Sequence, residues 1–356
     1  MKWPYSDKVL FAGPCAAETE EQVMQTAEAI AVNFPAALFR SGIWKPRTRP
    51  DSFEGVGEQG LKWLQQVKKV TGLRTAVEVA NAAHVEACLK YNIDVFWIGA
   101  RTTGNPFSVQ EVAGALQGVD VPVYIKNPVY PDLNLWIGAI ERIKRAGVKN
   151  VNAIFRGFYS YEATQFRNVP RWEVALDLKT QMPDLSLICD ISHIAGNTEL
   201  LHMVAQQAID LDMDGLMIET HCNPAKALSD AKQQITPQHL SELIASLEQR
   251  NSSFTDKAAL KELEDIRVAI DAIDDELLEL LSKRMQYSKI IGRLKGEHKV
   301  TIFQINRWKE ILHVCMEKSD VLGLNKNYIK NIFIQIHDES VRLQSEVMNS
   351  SVVSSQ

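Results

Sequence analysis

A chain of 356 residues exceeds one ordinary hydrophobic core, so two domains are expected. Apolar residues make up 46% and charged residues 23%, and a net charge of −5 with a pI near 6.0 excludes the strongly basic surface of a nucleic-acid binder. No apolar run nears the ~18 residues that span a bilayer, the start lacks a signal-peptide core, and Cys15, Cys88, Cys189, Cys222 and Cys315 form no disulfide framework, so a cytoplasmic enzyme is expected, with no membrane or nucleic-acid partner.

From Lys8 to about Arg250, short strand-like runs alternate with helical stretches. Run 9–13 leads to Cys15, and a helix follows at 22–32. Run 37–43 leads to Lys45 and Arg47, with a helix at 60–70. Run 75–79 carries Glu78, with a helix at 82–91. Run 95–100 leads to Arg101, with a helix at 109–116. Run 121–125 leads to Lys126, with a helix at 135–146. Run 151–155 leads to Arg156, with a helix at 169–178. Run 185–191 leads to His193, with a helix at 197–211. Run 216–218 leads to Glu219, and a helix at 237–249 closes the series. Eight βα units in about 250 residues predict an α/β fold, a (β/α)8 TIM barrel over 1–250 with all C-terminal strand ends on one face. A doubly wound open sheet is the alternative, but it needs no active residue at every strand end.

A polar linker is predicted at 251–259, and no strand signal recurs beyond it. Leu260, Leu263, Ile266, Ile270, Ile273, Leu277, Leu280 and Leu281 repeat at helical spacing. The pattern continues through Ile291 and Leu294, predicting one helix of about 35 residues. Shorter helices are predicted at 305–317 and 326–346, and a disordered tail at 349–356. Three such helices cannot bury their apolar faces alone. An all-α, three-helix domain over 260–348, intertwined with a second copy as a homodimer or higher homo-oligomer, is therefore expected.

Two sets of residues stand at the strand ends. Cys15, His193 and Glu219, with Asp230 on the loop after the last strand, combine a thiolate, an imidazole and two carboxylates. That set suits one borderline divalent cation: Mn, Fe, Co or Zn. Each residue alone is more often structural; together they read as ligands. His221 and Cys222 beside Glu219 read as loop residues. Lys45, Arg47, Arg101, Lys126 and Arg156 form the second set. Arginine forks match phosphate oxygens, and lysine adds a compact charge. So many cations on one cleft repel unless anionic ligands neutralise them. The residues therefore point to two phosphorylated substrates and one metal.

Gly13-Pro14-Cys15, Lys45-Pro46-Arg47-Thr48, Gly99-Ala100-Arg101-Thr102-Thr103, Lys126-Asn127, Arg156-Gly157, Asp190-Ile191-Ser192-His193 and Leu228-Ser229-Asp230 resemble 3-deoxy-D-arabino-heptulosonate 7-phosphate (DAHP) synthase over nearly all of 1–250. The resemblance is to the compact barrel type, and with Cys15 so near the start no N-terminal regulatory domain is expected. It implies that Cys15, His193, Glu219 and Asp230 bind the metal, Mn before Fe, Co or Zn. It implies that Arg101, Lys126 and Arg156 hold phosphoenolpyruvate, while Lys45, Arg47 and Thr48 line the erythrose 4-phosphate site. The enol carbon would attack the aldehyde, water would add, and phosphate would leave, with Lys126 or a metal-bound water handling protons. The intact Lys45-Pro46-Arg47-Thr48 run favours the four-carbon aldose over the arabinose 5-phosphate of a sister family that makes an octulosonate.

In the helical region Arg284 and Lys295 lie eleven residues apart and share a face, as do Ser340 and Gln344. Arg267 precedes Arg284 by seventeen residues and points about 100° away, so a partner chain's copy is the one that could join that pocket. Spacing alone slightly favours a solvated coiled coil with incidental cations. Ile266-Arg267, the run Ile273-Asp274-Asp275-Glu276-Leu277-Leu278-Glu279-Leu280-Leu281, and Lys283-Arg284 resemble the all-helical chorismate mutase. The resemblance places Arg267, Arg284, Lys295, Arg307, Ser340 and Gln344 on active-site positions, with Lys295 and Gln344 at the breaking ether oxygen. Gln304 and Trp308 stand where the family often has an acidic pair at the substrate hydroxyl. Gln304 can still hydrogen-bond a hydroxyl; Trp308 offers only an indole donor. The expectation is a bifunctional enzyme acting on phosphoenolpyruvate, erythrose 4-phosphate and chorismate. Its helical domain would also sense prephenate or chorismate for feedback inhibition. The alternative is a catalytically weak helical domain that mainly regulates or dimerises.

Overall fold

Strands and helices alternate along the first two-thirds of the chain: β1 (Val9–Gly13), α1 (Glu20–Asn33), β2 (Leu38–Arg40), α2 (Glu58–Thr71), β3 (Arg74–Val79), α3 (Ala82–Lys90) and β4 (Val95–Ile98). Next come α4 (Ala100–Thr103), α5 (Pro106–Ala115), β5 (Val123–Lys126), α6 (Leu133–Arg145), β6 (Val151–Phe155) and α7 (Trp172–Gln181). The series ends with β7 (Leu187–Asp190), α8 (Ile191–Ala195), α9 (Leu201–Asp210), β8 (Gly215–Glu219) and α10 (Pro237–Ser246). The computed structural model describes residues 8–45, 53–250, 253–254 and 256–353. The strands are all parallel and follow sequence order around a closed barrel, β1 pairing with β8. The expected (β/α)8 barrel is thus the observed one.

Alternation along each strand makes two apolar layers. Phe11, Leu38, Ala76, Trp97, Tyr124, Ile154, Ile188 and Met217 form one cluster, the barrel interior. Their neighbours Leu10, Ala12, Phe39, Val77, Phe96, Ala153 and Leu216 join the larger cluster under the helices. Strands buried on both faces read as continuous apolar runs, which is why periodicity located them. Helix starts are set by side chains of Thr19, Asn81, Asn105, Asp132, Asp190 and Thr236, each accepting from a first-turn backbone N–H.

Four strand-like runs are shorter than expected, 121–125 by one residue as Val123–Lys126. Runs 95–100 and 185–191 stop at Ile98 and Asp190 because α4 and α8 begin at once. Arg101 and His193 therefore ride on short helical turns, and Asp190 caps the second of them. Run 37–43 shrinks to Leu38–Arg40, since the Gly42 N–H turns to the carbonyl of Cys15.

The chain divides into units Met1–Ser252 and Ser253–Gln356. The second contains α11 (Lys257–Glu297), α12 (Ile305–Val321) and α13 (Lys326–Val353). α11 runs for 41 residues. It packs closely on α13 at Gly292, where a Cβ would come within 2.9 Å of the Gln344 Cα. Along the first half of α11, Ile266, Ile270, Ile273, Leu277 and Leu280 are each at least half exposed. α13 runs to Val353, so its last residues overlap the tail expected at 349–356. Residues 354–356 lie outside the described part. Among the described residues no helix is long and apolar enough to cross a membrane.

Candidate active sites

A cavity of about 510 Å3 opens at the C-terminal strand ends, lined by Lys45, Arg101, Lys126, Arg156, His193 and Asp230 among others. Cys15, Glu219 and Asp230 bring one donor atom each to within 4.8 Å of one another. The Cys15 Sγ is 3.4 Å from Asp230 Oδ2, and Lys45 Nζ sits 3.0 Å from the same sulfur. His193 Nε2 lies 3.9 Å from Glu219 Oε1. Three of the four expected ligands, Cys15, Glu219 and Asp230, thus cluster at the barrel mouth, while His193 approaches that cluster through Glu219. Asp230 holds its place with a left-handed backbone, φ 49°, which is uncommon outside glycine.

Electrostatics fit a cation there. Burial, then the Glu219 and Asp230 charges, push the Cys15 thiol up to about 11, against Lys45 and Arg40. At neutral pH that thiol is protonated, and a bound cation must displace the proton. Burial opposes ionisation of Glu219, yet His193, Arg40 and Lys45 hold its carboxyl well below the usual range. Burial, followed by the Lys126 charge, lowers His193, with Asp190 and Glu219 opposing. Burial thus favours the neutral His193 ring over the imidazolium. Its Nδ1 lies 3.0 Å from Asp190 Oδ1, so an Nδ1–H donating there leaves the Nε2 lone pair facing the cluster.

The cations gather beside this corner. Buried Lys126 donates to Asp190 Oδ2 at 2.6 Å. Burial and the neighbouring Arg167 and Arg101 charges bring the Arg156 guanidinium down to about 10, with Asp190 opposing. Like charges held this close favour an anion between them. Arg47 and Thr48 lie outside the described residues.

In the helical unit, Arg284 Nη1 donates to Ser340 Oγ at 2.5 Å and to the Ile336 carbonyl at 3.3 Å. Gln344 Nε2 donates to the Ser340 carbonyl at 3.2 Å. Lys295 Nζ donates to the Ile302 carbonyl at 2.5 Å. Burial lowers both Arg284 and Lys295. Arg284, Ser340 and Gln344 are brought together. Arg307 is exposed and pairs with Glu310 at 3.0 Å, and Gln304 stands at the N-cap position of α12 without a capping side-chain hydrogen bond. Arg267 is exposed on α11 and pairs with Glu264 at 3.6 Å, outside that group.

Residues 5–255 match the family model described as the DAHP synthetase I family. The chain belongs to that family. Residues 266–345 match the model described as chorismate mutase type II. The phospho-2-dehydro-3-deoxyheptonate aldolase of Thermotoga maritima is 29% identical over 238 residues, covering 67% of this chain and 68% of that protein. The 2-dehydro-3-deoxyphosphooctonate aldolase of Desulfatibacillum aliphaticivorans is 29% identical over 262 residues, covering 67% and 90%. A crystal structure of the Thermotoga maritima DAHP synthase superposes with a TM-score of 0.60 at 26% identity, covering 67% of each chain. One chain therefore joins a DAHP synthase barrel to a chorismate mutase domain and carries both enzyme activities.

Four barrel residues near the Cys15, Glu219 and Asp230 cluster were not assigned from sequence. Arg40 is buried in β2 and donates to Glu219 Oε1 at 2.6 Å. Gln233 Nε2 donates to the other oxygen, also at 2.6 Å. Arg167 pairs with Asp230 at 3.1 Å. Asp190 joins Lys126 to His193. A charged residue inside a buried strand was the available signal for Arg40 and Asp190. Arg167 comes from an irregular loop and Gln233 from the short 3-10 turn Ala231–Gln233, and neither carried one. Glu78 lines the cavity and accepts from Trp97 Nε1 at 2.8 Å. Arg40→Ala is expected to destabilise the metal-free protein by about 3–5 kcal/mol, because Glu219 would stay buried without its cation. Urea unfolding measures this; an unchanged midpoint would mean that Gln233 alone suffices.

Proposed function

We propose that the barrel condenses phosphoenolpyruvate with D-erythrose 4-phosphate and water to give DAHP and phosphate. The observation that carries this is the Cys15, Glu219 and Asp230 cluster beside Lys45, Lys126, Arg101 and Arg156 at one cavity. Cys15, His193, Glu219 and Asp230 would hold one divalent cation, Mn by preference, since one thiolate, one imidazole and two carboxylates suit a borderline ion. When bound, that ion supplies Lewis-acid polarisation of the aldehyde oxygen. Arg101, Lys126 and Arg156 clamp the phosphate and carboxylate of phosphoenolpyruvate, whose charge relieves their mutual repulsion. Lys126, hydrogen-bonded to Asp190, holds a proton at the cavity wall. Lys45, with Arg47 and Thr48, takes the aldose phosphate. Choice of aldose is the test. Erythrose 4-phosphate should be consumed with phosphoenolpyruvate far faster than arabinose 5-phosphate, and the reverse preference would reject this assignment.

The helical domain rearranges chorismate to prephenate as a homodimer. Arg284, Lys295, Arg307, Ser340 and Gln344 come from one chain, with Gln304 at the substrate hydroxyl. Arg267 comes from the second copy, because seventeen residues of helix place it about 25 Å from Arg284 along α11. The exposed apolar stripe from Ile266 to Leu280 supports the pairing of two copies. Prephenate or chorismate held in this pocket provides feedback on the barrel, and the enzyme works in the cytoplasm.

A further inference from the structure

His337 lies on α13, one turn before Ser340. Its ring stacks on the Trp308 indole of α12, with centroids 4.1 Å apart and planes 18° from parallel. Phe303 meets it edge-on at 5.8 Å. Its Nε2 is buried without a hydrogen-bond partner, and so is Gln344 Oε1 two turns on. Two cations of α11 stand around the ring. Arg284 donates to the carbonyl of Ile336, the preceding residue. Lys295 donates to the carbonyl of Ile302, next to Phe303. Burial, then the Arg284 and Lys295 charges, disfavour the imidazolium, while Asp338 on α13 opposes them. From α12, Cys315 faces Arg284 within the same group.

We propose that His337 is a conditional further cation of the mutase pocket, neutral when the pocket is empty and protonated when a dicarboxylate fills it. The inference rests on the assignment of this pocket to chorismate and prephenate. Both ligands are dianions throughout the neutral range, so their own charge does not change there. Two carboxylates set against Arg284 and Lys295 offset the positive charge that adds to burial in disfavouring the imidazolium, and bring negative charge toward the ring. The indole face of Trp308 then stabilises the imidazolium. The sign follows from linkage. A ligand that raises the histidine pKa binds more tightly where the ring is protonated, by about tenfold for each unit of rise. Binding therefore takes up a proton and tightens as pH falls through the ordinary histidine range. His337 acts as a positioning residue, stacked on Trp308 and adding charge once the ligand arrives.

Calorimetric titration of the full chain with prephenate tests this. Two buffers of different ionisation enthalpy near neutral pH report proton uptake, and affinities at lower and higher pH report the linkage. Expected are net uptake and severalfold tighter binding on the acid side. His337→Phe keeps the ring stack and should still bind prephenate, but with neither the uptake nor the pH dependence. His337→Gln provides the same comparison if the phenylalanine variant does not fold. Proton-neutral binding by the unaltered chain, or uptake that survives in these variants, overturns the proposal. If prephenate does not bind the unaltered chain at all, the assignment of the pocket fails, and this inference fails with it.

Discussion

Stripping divalent metal from the protein is expected to bring condensation of phosphoenolpyruvate with erythrose 4-phosphate to background, and Mn2+ to restore it. Glu219 and Asp230 stay ionised in a buried corner that also holds a thiol and a neutral imidazole. Three of these groups converge within 4.8 Å, and Arg40 and Gln233 hold Glu219 in place. Such a preorganised set loses little entropy when it takes up an ion. Cys15→Ala removes the one soft ligand without disturbing a large volume. Changing a partner of a ligand commonly costs 10–100-fold in metal affinity, so loss of the ligand itself should cost at least about 100-fold. Competition with a chromophoric chelator gives the affinity, and loss of phosphoenolpyruvate gives the rate. Turnover that persists in metal-stripped protein would remove the basis for the ligand assignment.

Arg284→Ala should lower mutase kcat/KM by about 10²–10³-fold, the range found when one preorganised donor is lost from an active site. Two hydrogen bonds, to Ser340 Oγ and the Ile336 carbonyl, fix the Arg284 guanidinium before any substrate arrives. A pericyclic rearrangement needs no nucleophile or base, so clamping the carboxylates is most of what the protein contributes. Arg284→Lys should recover little, because an ammonium cannot reproduce the planar fork. The proposed feedback of prephenate on the barrel is expected to be absent from the alanine variant as well. Chorismate disappearance and prephenate titration of the barrel reaction measure the two effects. Unchanged mutase activity would leave the helical unit as a dimeriser.

Much of the barrel was legible from one regularity. A parallel strand covered on both faces must be apolar along its length, so Val9–Gly13 and Val151–Phe155 stand out with their observed limits. The limits at Ile98 and Asp190 were not legible. Ala100 and Ile191 are apolar enough to continue a strand, and only the Gly99 and Asp190 caps turn the chain into helix. Cys15, His193 and Glu219 could be named because each ends or follows a strand, and the strands all end on one face.

The amino-acid sequence by itself determined the βα repeat, the long helix that follows, and the residue types able to bind metal, phosphate and dicarboxylate. Those are local properties, set by periodicity, capping and side-chain chemistry along neighbouring positions. The tertiary structure alone decided which groups share a charge environment. Arg40 and Glu219 are 179 residues apart in the chain and 2.6 Å apart in space. His337 and Trp308 belong to different helices and meet ring on ring. Contacts of that kind depend on barrel closure and helix packing, whose geometry is the sum of many weak apolar contacts and leaves no signature at either residue.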